Sequence, residues 1–263
     1  MNRAWKGILR VTCGLFAIVW GAMSLGPIVN GTFATGDLSG WNSLGTAAAV
    51  GTLGNIVPTI GNYQAQIASG NGGYALSPTP VFPDVPVATL EATLNLPAAV
   101  LTTALPNNNT PFAGSAIYQS FTATAGTTLT FDWNFATNEK IPQSFDAGVV
   151  TLLAPGSAQA TATELADTTQ TASFQAGTGA SPFVYVTGYK TTVLNLPSTG
   201  TYTVGFIALQ THDDTVSSGL YISNVRGGSV LPFSPVPAAW SLGLLGLGFI
   251  AIYSGIRKFR RAN

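Results

Sequence analysis

The side chains that could do chemistry are few in this 263-residue chain. His212 is the only histidine, so any histidine-dependent mechanism must run through it. It opens His212-Asp213-Asp214, a polar triplet between two predicted strands, where turn-forming residues are expected in any case. A serine hydrolase needs its nucleophile on a strained turn such as G-x-S-x-G, and the chain has none. Ten acidic residues permit many carboxylate pairs of the glycosidase kind. No aromatic-lined cleft is marked around any pair, and no catalytic residue is assigned. Gly70-Asn71-Gly72-Gly73 lacks the Lys-Ser/Thr of a phosphate loop and reads as a turn. Asn30-Gly31-Thr32 and Asn108-Asn109-Thr110 fit the glycosylation triplet, which chance also supplies. The expectation is a protein that is not an enzyme.

Two other chemistries are open. Glu139 and Asp146 flank a short acidic loop, with Asp132 or Asn138 near enough in sequence to complete a cation site. The alternative is that these acids are solvated or cap the loop's backbone. Sugar binding uses aromatic faces beside amides and carboxylates. Trp41, Tyr63, Tyr74, Tyr185 and Tyr189 are the candidates, with Tyr185, Tyr189 and Trp41 foremost.

These residues must be positioned by a body lying between two apolar segments. Val236 to Ile256 is 21 residues without a charge, enough for a transmembrane helix across a core about 30 Å thick. Trp240 and Tyr253 sit near its ends at the headgroup level, and Arg257, Lys258, Arg260 and Arg261 follow. Basic residues stay cytoplasmic, so the preceding chain is expected outside. At the other end, Arg3, Lys6 and Arg10 precede an apolar run from Val11 to Leu25, and Ala22-Met23-Ser24 offers a cleavage site. The expected division is a signal peptide over 1–24, an extracytoplasmic domain over 25–231 and a C-terminal segment over 232–263. Cys13, the only cysteine, would leave with the signal, removing disulfides and thiolate metal sites from the mature chain.

The formal net charge of zero hides an asymmetry. All ten acids lie in the body, against only Lys140, Lys190 and Arg226, for a net −7. Such a surface gives no basic footprint for nucleic acid.

The body is long enough for one sizeable core. Thr127 to Phe135 alternates, with Leu129, Phe131, Trp133 and Phe135 on one face and Thr128, Thr130, Asp132 and Asn134 on the other. Similar runs cover Ala116–Thr124, Ala147–Leu153, Phe183–Tyr189, Thr201–Leu209 and Leu220–Arg226. Ala125-Gly126 reads as a hairpin between the first two. Thr89–Ala104 has helical spacing interrupted by Pro97. The fold predicted is mainly β, a single sandwich of jelly-roll type.

The order of proline-containing motif, apolar helix, arginine cluster and stop resembles the PEP-CTERM class of bacterial sorting signals. Val236-Pro237-Ala238-Ala239-Trp240 is similar to its VPLPA-type variant, without the Glu of Pro-Glu-Pro or the variant's second proline. The resemblance implies an exosortase-type membrane protease as partner, with removal of the helix near the proline motif. It further implies an inner-membrane precursor, then a cell-surface or extracellular protein associated with exopolysaccharide. Asn30-Gly31-Thr32-Phe33 through Gly40-Trp41 resembles the opening of exported domains with galactose-binding-like jelly rolls. The stretch from Ser115-Ala116-Ile117 through Phe131–Phe135 and Thr137-Asn138-Glu139, then Phe145-Asp146-Ala147, and the run from His212 to Val225 resemble later segments of the same proteins. That second likeness implies a carbohydrate-binding module as the alternative function. In such domains a structural Ca²⁺ draws acids from the opening motif and the closing strand, and here those positions are Ala34 and Ser223. The expectation is no metal at that site, leaving Ca²⁺ only the Glu139, Asp146 and Asp132 alternative.

Overall fold

The computed structural model describes residues 27–70, 84–105, 110–142, 146–179, 181–211, 216 and 218–227. The expected signal peptide, the sorting motif with its helix and basic tail, Tyr74 and His212 lie outside the described residues. Among the described residues no helix is long and apolar enough to cross a membrane.

Two antiparallel sheets form a sandwich. The first runs in the order β1 (Asn42–Leu44), β5 (Pro111–Ala123), β12 (Gly200–Thr211), β7 (Ala147–Leu153) and β8 (Thr161–Asp167), with β4 (Val85–Pro86) also on β5. The second runs β2 (Ala47–Val50), β3 (Gln64–Ala68), β13 (Ser218–Gly227), β6 (Thr127–Thr137), β10 (Tyr185–Val186) and β9 (Gln175–Ala176). Strand β11 (Lys190–Leu196) pairs with β6 as well. Alternation places the expected apolar residues inside: Leu129, Phe131, Trp133 and Phe135 of β6 are all buried in the inter-sheet core. Phe131 meets Phe206 edge-on at 4.8 Å between centroids, and Trp41 lies 5.7 Å from Phe33 and 6.0 Å from Phe206.

The Ala125-Gly126 link is not a hairpin. Strand β5 pairs with β1, β4 and β12, whereas β6 pairs with β10, β11 and β13, so the chain turns a corner from one sheet to the other. Hairpins and corners use the same turn residues; only the partner strands differ. Gly126, at φ +82°, sends its N–H to Leu196 of β11. The Phe183–Tyr189 run is also mostly not strand, because Gly188 at φ +67° turns the chain between β10 and β11.

The helical stretch splits as the proline requires, into α1 (Val87–Thr93) and α2 (Val100–Thr103). Leu90, Leu94 and Leu101 cover the outer face of the first sheet against Ile207 and Leu209. Buried Glu91 accepts the Ala99 and Leu101 N–H groups at 3.0 Å each, filling the open donors at the start of α2.

Candidate functional site

Even-numbered residues of β6 point away from the core. That face carries half-buried Thr128 and Thr130 and, further along, Asp132 and Asn134, which are buried. Tyr221 stands opposite Gln66 on one side and Asn134 on the other, so the three form one row across β3, β13 and β6. Gln66 Nε2 donates to the Tyr221 hydroxyl, and Thr187 Oγ1 donates to Asn134 Oδ1 at 3.2 Å. Burial drives the Tyr221 phenol well above its ordinary value. Gln66 Oε1 and Asn134 Nδ2 are buried without a hydrogen-bond partner.

The next row holds Ser223, Asp132 and Thr191, aligned across β13, β6 and β11. Asp132 Oδ1 accepts from Thr191 Oγ1 at 2.6 Å. Its Oδ2 accepts from Thr59 Oγ1 at 2.6 Å and from Asn224 Nδ2 at 2.9 Å. The register shift after Ser223 and the positive φ of Asn224 (+54°) mark a bulge that aims this amide at the carboxylate. Burial pushes the Asp132 carboxyl up, but the three donors and the Arg226 charge outweigh it and hold it below its usual value. This carboxylate is a structural acceptor and not part of the acidic loop. Five residues of strand separate it from Thr137, roughly 17 Å at 3.3–3.4 Å per residue.

The rest of the acidic group stays together at the opposite end. Asp146 accepts from Ser69 Oγ at 2.7 Å and from the Thr211 N–H at 3.2 Å. Ser69 Oγ in turn accepts the Ser218 N–H at 2.8 Å, and Ser218 Oγ bonds Thr137 Oγ1 at 2.7 Å. Thr137 Oγ1 also receives the Glu139 N–H at 2.9 Å. Both acids are buried. Asn138 is turned elsewhere: its side chain bonds Pro182 O and Val184 N–H at 2.8 Å each. Among the described residues no three of His, Cys, Asp and Glu converge.

Ala34 is exposed and Ser223 is buried, its hydroxyl accepting the Thr59 N–H at 3.3 Å. The opening motif is a self-bonded turn. Asn30 Nδ2 donates to the carbonyls of Asp37 and Ser39, and Trp41 Nε1 donates to Asn30 O at 3.3 Å.

The aromatic candidates do not converge. Trp41 is 8 % exposed in the core, so neither ring face is free to stack on a sugar. Tyr189 is half-buried on the outer face of the second sheet, its hydroxyl bonded to Gln64 Oε1, and burial drives it well above the ordinary phenol value. Tyr185 precedes Val186, which packs into that outer cluster, so Tyr185 projects to the other side. Tyr63, 38 % exposed, lies over Gly36 of the opening motif. The Gln64, Gln66, Tyr221 and Asn134 cluster was missed in the sequence. Its signal is the polar side of Gln64-Ala65-Gln66-Ile67 and of Asp132-Trp133-Asn134.

No family model matches the chain, and no curated protein matches it. Several solved structures align with the chain at a distance. The TmCBM61 module in complex with β-1,4-galactotriose aligns with a TM-score of 0.40 at 12 % identity, covering 76 % of this chain and 96 % of that one. The K3 cleaved adhesin domain of Lys-gingipain from Porphyromonas gingivalis aligns with a TM-score of 0.37 at 13 % identity, covering 78 % and 99 %. The N-terminal cellulose-binding domain of Cellulomonas fimi β-1,4-glucanase C gives 0.33 at 14 % identity, covering 79 % and 99 %. Likeness at this level carries no functional argument. The chain is a two-sheet β-sandwich, and its function rests on its own residues.

Proposed function

We propose that this chain is an exported, non-catalytic structural protein of the bacterial cell surface or exopolysaccharide matrix. A signal peptide delivers it, and an exosortase-type signal at 232–263 sorts it. One observation carries the geometric side of this reading: the body begins and ends at one place. The Val225 N–H donates to Gly31 O at 2.8 Å, and Pro27, Ile28, Val225 and Gly227 line one cleft. A jelly-roll body with both ends together suits a head presented on a membrane by its N-terminal and C-terminal segments before processing. Both outer faces of the sandwich are filled, the first sheet by α1 and α2 and the second by the cluster around Tyr221. Filled faces suit a scaffold better than an open sugar groove.

The test is intact-mass analysis of surface material from a native host. The expected chain lacks the first two dozen residues, roughly the length a signal peptide has, and everything after about Pro237. A mature chain that keeps Trp240 to Asn263 would reduce the reading to a plainly anchored domain.

A second reading, a carbohydrate-binding module, draws on the half-buried Tyr189 ring, which bonds the buried Gln64 amide and feels the Asp132 carboxylate. Amides, a carboxylate and an aromatic ring are what sugar hydroxyls and faces require. Retardation of the protein in gels containing soluble polysaccharide, lost in Tyr189→Ala, supports it; identical migration with and without polysaccharide sinks it.

A further inference from the structure

The edge strand of a sheet presents unpaired N–H and C=O groups, and it pairs with another chain unless it is short, charged, bulged or covered. Most edges of this sandwich are blunted in one of those ways. In the first sheet β1 has three residues and β4 two, while β8, on the other side, carries Glu164 and Asp167 and shifts register against β7 between Gly148 and Val149. In the second sheet β2 has four residues and β9 two. Strand β11 is the exception. Its seven residues pair with β6 without a bulge, and β6 is its only partner strand among the described residues. It contains no proline and no acid.

The one charge on β11 does not guard the open side. Lys190 Nζ lies 5.3 Å from the centroid of the Trp133 ring, which draws the ammonium back towards β6. Thr191 Oγ1 donates to Asp132 and Thr192 Oγ1 accepts from Trp133 Nε1, so these side chains too are committed to β6. Val193, at the midpoint of the strand, is 56 % exposed. The strand is also self-complementary. Laid antiparallel against a second copy with full overlap, Val193 meets Val193, Thr192 meets Leu194, Thr191 meets Asn195 and Lys190 meets Leu196. No like charges are opposed. The two lysines stand six residues of strand apart, roughly 20 Å, well beyond the screening length of about 8 Å at physiological salt. Charge favours this side of the acidic body as well: Val193 lies in one row with Thr130 and Arg226, and the Asp132 carboxylate in the next row is held by its own donors.

We propose that β11 is a homodimer interface, where two copies of this chain join their second sheets edge to edge, antiparallel and centred on Val193. The contact is isologous, the same seven residues on each side of a two-fold axis, and it closes at two copies. Opposed residues of an antiparallel pair point to the same side, so each face of the sheet runs on unbroken from one copy to the next. A surface protein built this way links neighbouring copies through backbone hydrogen bonds, with no ligand between them.

The experiment uses the full-length chain in detergent, with Cys13→Ser so that each cysteine variant carries a single thiol. Directly opposed residues of antiparallel strands have Cα atoms about 4.5–5.5 Å apart, inside the disulfide range of about 4.4–6.8 Å. Val193→Cys should therefore form a disulfide-linked dimer under copper–phenanthroline. Val184 is 54 % exposed but lies off the strand, and serves as the control. Cross-linking of Val193→Cys should be at least about tenfold faster than that of Val184→Cys, because pairing raises the effective thiol concentration. Thr191→Cys and Asn195→Cys should each cross-link slowly alone and quickly when mixed, since each faces the other across the axis. Val193→Glu opposes two like charges and should abolish dimers in sedimentation velocity, with the melting temperature unchanged because the side chain is exposed. Equal rates for Val193→Cys and Val184→Cys overturn the proposal, as does a wild-type chain that stays monomeric at every concentration tested. Association that survives Val193→Glu overturns it in favour of contact through the apolar terminal segments. Thr191→Cys and Asn195→Cys chains that link only to their own kind overturn the antiparallel pairing.

Discussion

Thr59 donates its hydroxyl to Asp132 at 2.6 Å, joining the 51–63 connection to the middle of a strand 73 residues later in the chain. The same carboxylate holds Thr191 of β11 and Asn224 of the β13 bulge. One acidic side chain therefore ties an edge strand, a loop and a bulge to the outer face of the second sheet.

Replacing Asp132 by alanine orphans three donors at once. Hydrogen bonds to charged groups contribute about 1.5–3 kcal/mol each, with strong overlap in a shared network, so a loss of about 3–4 kcal/mol is expected on denaturant unfolding. Hydrogen exchange should speed up first in 51–63 and 190–196. Asp132→Asn keeps one acceptor oxygen and should lose less. Equal stability of Asp132→Ala and wild type would remove Asp132 from its structural role.

Trp41 closes the opening motif, but it belongs to the core between Phe33 and Phe206. Trp41→Ala should cost about 3–5 kcal/mol, the range for large aromatic truncations in cores. A variant of near-native stability would show that the ring is a surface group after all.

The topology of the precursor is testable without knowing the enzyme that processes it. A reporter active only outside the cytoplasm should work when fused before Pro235 and fail when fused after Arg261. The opposite pattern would put the sandwich inside the cell and end the export reading.

Period-two alternation located β6 and the burial of Leu129, Phe131, Trp133 and Phe135, because one face of that strand meets the core along its whole length. The helix break at Pro97 was equally legible. Short edge elements such as β1 and β2 were not, since three or four residues cannot express a period. The Ala125-Gly126 corner failed for a different reason: local sequence encodes a turn, and which sheet the next strand joins is decided by distant partners. That Glu139 lies near enough to Asp146 for its charge to be felt follows from the short connection between them. Thr168, Thr211 and Ser69 come from three other segments, and nothing local in the sequence announces that they meet there.

The last prediction concerns the pH dependence of stability. Burial is the main cause that pushes the Asp146 carboxyl up to about 7, against its donors Ser69, Ser218 and Thr211 and with the Glu139 charge adding to the rise. In the unfolded chain the same group titrates near 3.9. A raised folded value means the folded state holds a proton that the unfolded state has released. The resulting stabilisation is complete below about pH 4 and is lost as pH rises through about 7. A gap of about three units at 1.36 kcal/mol each makes this on the order of 4 kcal/mol. Glu164, raised to about 7 by partial burial and then the Asp167 charge, acts in the same direction and more weakly because solvent screens it. Asp132 has the opposite sign, but its contribution disappears only as pH falls below its depressed value, outside this window. Denaturant unfolding should therefore show stability falling from about pH 4.5 to about pH 7.5, with Asp146→Asn flattening most of the slope. A level profile in the wild type would mean that Asp146 is already charged at pH 5, and the assignment would fall.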